Sequence, residues 1–152
     1  IFLSQRPGPA TGLPTWTEQG DLLYAVHSGH GEFPKIVLAP GDIEEMYTLT
    51  AEAFNLADIY QTPVIVMSDK HLSESYWSTS KMSFDLFSKG YQLDRGKIVR
   101  NVDDEPYLRY TITDDGVSPM LIPGQEGKHY QTNSYEHDEY GHSFEAAENR
   151  NS

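Results

Sequence analysis

The sequence contains no cysteine. A disulfide framework, a Cys-ligated zinc, an iron–sulfur cluster and a thiol nucleophile are therefore excluded from this chain. Basic residues are also scarce: 11 Lys and Arg stand against 23 Asp and Glu, which gives a net charge of −12 with neutral histidines. This balance argues against nucleic-acid and anionic-membrane partners, because phosphate-rich surfaces are bound through patches of Lys and Arg.

Long apolar runs and several familiar motifs are missing as well. No stretch approaches the ~20 apolar residues that a membrane helix needs. The phosphate-binding patterns G-x-x-x-x-G-K-[ST] and G-x-G-x-x-G do not occur, nor does the nucleophile elbow G-x-S-x-G. A chain of 152 residues has the length of one domain. We expect an acidic, cytoplasmic protein with no membrane and no nucleic-acid partner.

The acidic residues are concentrated near the C-terminus. Residues 101–152 carry 11 acidic and 3 basic side chains, against 12 and 8 in residues 1–100. The second stretch is also poor in Val, Leu and Ile, which disfavours a core of its own. We predict that residues 1–112 belong to a folded domain and that 113–152 form an acidic, loop-rich extension or linker.

Three short apolar segments predict strands, at residues 1–5, 36–39 and 64–67. A strand at residues 1–5 needs neighbours, so we expect the chain to be part of a larger polypeptide. Apolar strands that alternate with amphipathic helices indicate a parallel sheet covered on both faces. We therefore predict a doubly wound α/β fold in which the second and third strands are central, parallel and adjacent or nearly so. A further strand is predicted at residues 107–112, where apolar and polar residues alternate.

Two capping boxes predict where the helices begin. Thr15 and Glu18 form the first, and the helix after it would turn Leu22, Leu23 and Val26 to the core. Asp42 and Glu45 form the second and begin a helix over residues 43–60. Apolar residues recur there at helical spacing, so we expect one buried side formed by Met46, Ala53, Phe54 and Ala57.

The loop Arg6–Thr15 is the most unusual segment. Its two glycines allow close approach of a ligand, and its three prolines restrict its backbone. It follows the first strand, and ligands of parallel sheets bind at the carboxyl ends of strands. Arg6 offers a planar guanidinium suited to a carboxylate or phosphate. The alternative is an ordinary turn in which Arg6 pairs with a surface acid.

Two histidine-containing segments are further candidate sites. Asp69 and His71 follow the third strand, where a hydrogen-bonded loop pair is favoured over a catalytic role. Carboxylates and imidazoles also cluster between Tyr135 and His142. His137 and His142 are five residues apart, which is not the i, i+4 spacing of a helical ligand pair. We therefore predict no metal, and keep a divalent-ion site in this segment as an alternative.

Several motifs occur in the order typical of one enzyme family. The chain resembles the alpha subunit of 2-oxoacid:ferredoxin oxidoreductases, and the 2-oxoglutarate synthase type in particular. The similarity spans almost the whole chain and is weakest between residues 76 and 112. It is carried by seven segments: Gln5–Thr15, Glu18–Leu22, Gly29–Pro34, Val37–Gly41, Ala51–Ala57, Gln61–Val66 and Asn133–His142.

The resemblance implies an enzyme subunit. Members of the family use thiamine pyrophosphate to decarboxylate a 2-oxoacid, such as 2-oxoglutarate, to acyl-CoA and CO₂ with electrons passing to ferredoxin. Residues 1–112 would then be part of a pyrimidine-binding domain. The thiamine pyrophosphate would be shared with a beta subunit that holds the Mg²⁺, and the [4Fe–4S] clusters would lie on another subunit. The partners implied are the beta subunit, the 2-oxoacid, coenzyme A and ferredoxin.

The resemblance also implies roles for individual residues. Arg6 matches the arginine that anchors the substrate carboxylate, and the pocket loop would consist of Gly8, Pro9, Ala10, Thr11 and Gly12. Ala10 stands where the family usually has Ser. No catalytic residue is expected in this chain, because the glutamate that activates the cofactor belongs to a motif upstream, so the chain alone should be inactive. The alternative is a non-catalytic α/β module that binds an anionic metabolite or a partner at the Arg6 loop.

Overall fold

The computed structural model describes residues 1–9, 12–80, 85–102, 106–124 and 128–147. The chain forms two compact units, Ile1–Asp94 and Arg95–Ser152. The boundary after Asp94 separates two groups of residues that contact one another internally. The predicted boundary after residue 112 separates something else, a pyrimidine-binding domain from its extension, and it stays a prediction. Among the described residues, no helix combines the length and the apolar character needed to cross a bilayer.

A three-stranded parallel sheet organises the first unit. Strands β1 (Phe2–Gln5), β2 (Ile36–Leu38) and β3 (Val64–Asp69) lie in the order β1-β3-β2. The predicted parallel pairing of β2 with β3 is confirmed, and β3 is central. The predicted central position of β2 is wrong for the described sheet, because β2 lies at its edge. All six residues of β3 are buried, as expected for a strand that has a neighbour on each side and begins with four apolar residues.

Helix α2 (Ile43–Tyr60) connects β2 to β3, as predicted. The Asp42 carboxylate caps its first turn by accepting the Glu45 amide at 2.8 Å. The Glu45 carboxylate in turn accepts the amide of Gly41 at 2.8 Å. The helix ends at Gln61, whose left-handed φ of 50° precedes Thr62 and Pro63.

The buried side of α2 differs from the prediction. Met46, Ala53 and Ala57 are half-buried, but the Phe54 side chain is 66% exposed while its neighbour Asn55 is 4% exposed. Phe54 borders an open apolar groove of about 420 Å³ that it shares with Phe2. The predicted burial of Phe54 is therefore wrong, because the helix directs Asn55 into the unit and leaves Phe54 at the rim of that groove.

Helix α1 (Leu22–His27) begins seven residues after the predicted start. Residues 12–21 form turns and extended loop, so the capping box from Thr15 to Glu18 is wrong. The predicted core residues Leu22, Leu23 and Val26 are exposed. The helix instead contacts the core through Ala25, which packs with Ile65 and Met67. The small side chain of Ala25 lets the helix lie close to the sheet at this residue.

The second unit contains little regular structure. Strands β4 (Ile98–Val99) and β5 (Met120–Leu121) pair in parallel. The strand predicted at residues 107–112 is wrong, because its backbone is engaged in loop contacts. The Tyr110 amide donates to the Glu139 carbonyl at 3.0 Å, and the Ile112 amide donates to the Glu139 carboxylate at 3.0 Å.

The first unit also contains helix α3 (Lys70–Glu74) and a 3₁₀ turn (Phe87–Lys89), which complete the described elements of the chain.

Candidate functional site

Arg6 lies at the carboxyl end of β1, where the sequence places it. Its side chain is exposed. Within the described ranges, neither an acidic group nor any other hydrogen-bond acceptor pairs with its guanidinium. The alternative of an arginine paired with a surface acid therefore finds no acid in the part of the chain that the structure describes. An exposed guanidinium at this edge of a parallel sheet is suited to an anionic ligand.

The loop after Arg6 closes on itself. The Leu13 amide donates to the Pro7 carbonyl oxygen at 3.2 Å. Gly12 has a φ of +50°, and a Cβ atom built there would lie 2.0 Å from the same carbonyl oxygen. Only glycine satisfies both the left-handed backbone and this close approach. A Cβ atom at Gly8, in contrast, would meet nothing within 4 Å, so the loop is open on that side.

Pro9 continues this loop through a cis peptide bond with Gly8. Two of the predicted pocket residues, Ala10 and Thr11, lie outside the described residues. The structure therefore places Arg6, Gly8, Pro9 and Gly12 in one closed loop at the carboxyl end of β1. The roles that the resemblance implies for them stay predictions.

Asp69 ends β3 and is 8% exposed. One carboxylate oxygen accepts from the Gln19 side-chain amide at 2.7 Å, and the other accepts from the Leu72 backbone amide at 2.7 Å. Burial by itself raises the pKa of Asp69, but these hydrogen bonds and the neighbouring His71 outweigh it, so the pKa lies below its ordinary value. Asp69 is therefore a buried carboxylate that stays ionised at neutral pH.

A second contact joins the loop that precedes α1 to strand β1. The backbone amide of Asp21 donates to the Gln5 side-chain oxygen at 3.0 Å. Gln5 is 7% exposed and is the register partner of Asp69 in the sheet. Sequence analysis missed this pair of buried polar side chains. The signal available was that each is the polar last residue of a strand that begins with apolar residues.

His71 does not form the expected hydrogen bond with Asp69. Its Nδ1 lies 3.2 Å from the Ser75 hydroxyl, and its ring packs edge-on against Trp77 at 5.2 Å. Its backbone amide donates to the Thr17 hydroxyl at 3.2 Å. The side-chain contacts of His71 therefore lie within and just after α3, while the Asp69 carboxylate is directed to the loop that precedes α1.

The segment from His137 to His142 forms a tight turn in the second unit. The Asp138 carboxylate accepts the amides of Tyr140 at 3.0 Å and His142 at 2.9 Å. The His137 ring stacks on Tyr110 at 3.7 Å. In the described portion of the chain, no three His, Asp or Glu side chains converge in a way that could hold a metal ion. These contacts give the segment a structural role and do not support the alternative of a divalent-ion site.

Comparisons with known proteins agree on one family. The model of the family described as pyruvate flavodoxin/ferredoxin oxidoreductase, thiamine diphosphate-binding, matches residues 1–152. The chain is 46% identical over 145 residues to the 2-oxoacid:ferredoxin oxidoreductase subunit alpha of Saccharolobus solfataricus, covering 95% of this chain and 22% of that protein. It is 31% identical over 141 residues to the 2-oxoglutarate synthase subunit KorA of Methanothermobacter thermautotrophicus, covering 91% of this chain and 35% of that protein.

A solved structure matches the fold as well. It is the 2-oxoglutarate:ferredoxin oxidoreductase from Magnetococcus marinus with 2-oxoglutarate, coenzyme A and succinyl-CoA bound, at a TM-score of 0.85 and 35% identity over 99% of this chain and 25% of that one. The chain thus spans about a quarter of that structure and 22% of the Saccharolobus relative. The resemblance found in the sequence is confirmed, and the chain belongs to the thiamine-diphosphate-binding family of pyruvate flavodoxin/ferredoxin oxidoreductases.

Proposed function

We propose that this chain is part of the alpha subunit of a thiamine-diphosphate-dependent 2-oxoacid:ferredoxin oxidoreductase. The reaction proposed is the oxidative decarboxylation of a 2-oxoacid to acyl-CoA and CO₂, with electrons delivered to ferredoxin. Family membership and the named relatives support it. The substrate proposed is 2-oxoglutarate or a related 2-oxoacid, since one of the relatives is a 2-oxoglutarate synthase subunit and the similar solved structure carries 2-oxoglutarate.

The observation that carries the proposal is the guanidinium of Arg6. It follows β1 directly, is exposed and has no acid among the described residues to neutralise it. A 2-oxoacid presents one carboxylate beside the carbonyl that reacts. Two parallel N–H···O bonds from a guanidinium would fix both the position and the orientation of that carboxylate. Arg6 would then contribute by holding the substrate in the geometry from which CO₂ leaves.

The residues present fit a cofactor that is shared with another subunit. Thiamine diphosphate, when bound, supplies the electron sink that decarboxylation of a 2-oxoacid requires. The open side of the loop at Gly8 leaves room for a neighbouring group, while Gly12 holds the loop closed. No cluster of acidic side chains among the described residues is arranged as a metal site. We therefore assign the diphosphate and its Mg²⁺ to the beta subunit.

The remaining partners follow from the proposed reaction. Coenzyme A would accept the acyl group and ferredoxin the electrons, both in the assembled complex with the beta subunit. The [4Fe–4S] clusters are assigned to another subunit, as the resemblance implies, and these 152 residues contain no cysteine to ligate them. The acidic composition and the family relationship support a cytoplasmic location for the complex.

The experiment is a substitution of Arg6 in the assembled oxidoreductase. We expect Arg6→Ala to lower kcat/KM for the 2-oxoacid by about 10²-fold or more, because a charge-assisted contact to a buried carboxylate contributes roughly 2–4 kcal/mol. Arg6→Lys keeps the charge but loses the planar pair of donors, and should also be impaired. Thiamine diphosphate affinity, measured by titration, should change little in both variants.

The control is Arg100→Ala, which removes an exposed arginine of the second unit and should leave kcat/KM within about twofold. Full turnover by Arg6→Ala together with lost cofactor binding would contradict the role assigned to Arg6. If the assembled complex turned over no 2-oxoacid while an anionic metabolite still bound at the Arg6 loop, the non-catalytic alternative would replace the proposed function.

A further inference from the structure

The loop between Gly12 and Asp21 is anchored to the sheet by alternate residues. Thr17, Gln19 and Asp21 each contact the carboxyl end of the sheet or the first turn of α3. The two buried acceptors are Asp69 and Gln5, which lie side by side as register partners. The loop residues between the anchors are exposed. The contacts therefore fix the position of a segment that has no regular secondary structure to hold it.

Two backbone amides of the loop are bonded to the residues on either side of Arg6. The residue before it, Gln5, accepts the Asp21 amide, and the residue after it, Pro7, accepts the Leu13 amide. Both ends of the returning segment are thus bonded to the immediate neighbours of Arg6. A displacement of residues 12–21 would move the backbone on which the guanidinium stands. The Gln19–Asp69 bond joins residues 50 positions apart and is the side-chain bond that ties the middle of this segment to β3.

We propose that Asp69 is a positioning residue that, through Gln19, holds the loop of residues 12–21 at the carboxyl end of the sheet and so fixes Arg6 for the substrate. The proposal rests on the proposed function in so far as it names the ligand of Arg6 as a 2-oxoacid carboxylate. Asp69 itself makes no contact with substrate in this assignment. Asp69 acts by holding the loop in place. We therefore expect the KM for the 2-oxoacid to rise when the loop is released.

The Gln19–Asp69 hydrogen bond can be tested by swapping its donor and its acceptor. Gln19→Glu places a second carboxylate against the Asp69 carboxylate. The Asp69 oxygen that faced Gln19 loses its donor, and the two like charges repel the loop from β3. Adding Asp69→Asn restores one donor and one acceptor with the same heavy-atom shape, because the Asn amide nitrogen donates to the new Glu. The Asn oxygen still accepts the Leu72 amide. The double variant therefore rebuilds the bond with its direction reversed.

The variants are measured in the assembled oxidoreductase. We expect Gln19→Glu to raise the KM for the 2-oxoacid by about tenfold, as loss of a charge-assisted bond predicts, with a smaller change in kcat and unchanged thiamine diphosphate affinity. Hydrogen exchange of residues 12–21 should become faster. The double variant should recover both the KM and the slow exchange. Thr15→Glu adds the same charge to the same exposed loop without facing Asp69, and serves as the control.

The outcomes separate the two proposals. If Thr15→Glu raises the KM as much as Gln19→Glu, or if the double variant fails to recover, the positioning role of Asp69 is overturned while the proposed function stands. If the wild-type complex turns over no 2-oxoacid, the proposed function fails. The exchange measurements still decide in that case whether Asp69 holds the loop: unchanged exchange in Gln19→Glu would overturn it.

Discussion

The two units of the chain are stabilised by different means. In the first, six consecutive buried residues of β3 lie between two parallel neighbours, and Ala25 of α1 packs onto them. In the second, Leu121 is the only apolar residue that is buried among those the structure describes. Its loops are held by polar contacts, such as the Ser118 hydroxyl on the Thr111 carbonyl at 2.8 Å. One unit depends mainly on apolar burial and the other on hydrogen bonds that individual side chains provide.

The comparison predicts the largest loss of stability for the centre of β3. Ile65→Ala removes a 4% exposed side chain from the core, so we expect the free energy of unfolding to fall by about 2–5 kcal/mol. Phe54→Ala removes a larger side chain that is 66% exposed and should cost less than about 1 kcal/mol. Denaturant unfolding followed by tryptophan fluorescence measures both, because Trp16 and Trp77 lie in the first unit. Equal losses in the two variants would contradict the assignment of the core.

The second unit should respond most to the loss of a single hydroxyl. The Tyr107 hydroxyl accepts the Leu121 amide at 2.8 Å and also donates to the Pro119 carbonyl. Tyr107→Phe leaves the amide of a buried residue without a partner, so we expect local stability to fall by about 1–3 kcal/mol. Hydrogen exchange at Leu121 would report it as faster exchange.

The matched control is Tyr135→Phe, whose side chain is 73% exposed. It removes the same hydroxyl from a solvated ring and should leave exchange at Leu121 unchanged. Burial also raises the pKa of Tyr107 above its ordinary value of 10.0, with the Leu121 amide opposing that rise. The variant should therefore lose one tyrosine that ionises late in an alkaline absorbance titration. If exchange at Leu121 stays slow in Tyr107→Phe, the hydroxyl does not hold β5.

The smallest effect is expected at the surface of the second unit. Hydrogen bonds from the Lys97 ammonium, the Thr113 hydroxyl and the Val117 amide lower the pKa of Asp115 from 3.8 to about 2. Because the pKa of Asp115 is depressed in the folded state, its ionised carboxylate stabilises the folded state. This stabilisation is fully present above pH 3.8 and is lost as the pH falls through about 2. Lys97→Met should return the pKa toward 3.8, as measured by NMR titration of the side-chain carboxyl. A pKa that stays near 2 would show that the ammonium is not the main cause.

Sequence patterns predicted best where a run or a helical period of apolar residues meets a buried surface. The three strands follow from short continuous apolar runs, and α2 follows from apolar residues that recur at helical spacing. The same pattern assigned Phe54 to the core, since periodicity does not report that Asn55 is held by bonds to the distant residues Gln92 and Asp94. Strands β4 and β5 have two residues each, which is too short for any period to appear.

The candidate site was predicted in part for a similar reason. Arg6 was placed correctly at the end of β1, because topology alone brings the ends of parallel strands to one edge. The contact of Gln19 with Asp69 was not predicted, since a bond between single polar side chains 50 residues apart leaves no repeat in the sequence. The helix expected from Thr15 fails locally too: its residues serve as anchors of a loop, where the Thr17 and Gln19 side chains are bonded to other elements.

The strand order β1-β3-β2 has a consequence for how the first unit is made. Both outer strands pair with β3, which is the last of the three to be synthesised. While the chain emerges from the ribosome, β1 and β2 have no strand partner among the described elements, whereas α2 depends only on bonds within itself. Contacts that close loops of this length form slowly compared with local ones. The helix can therefore form early, and the sheet, with the loop that carries Arg6, is completed in one late step once Asp69 has been added.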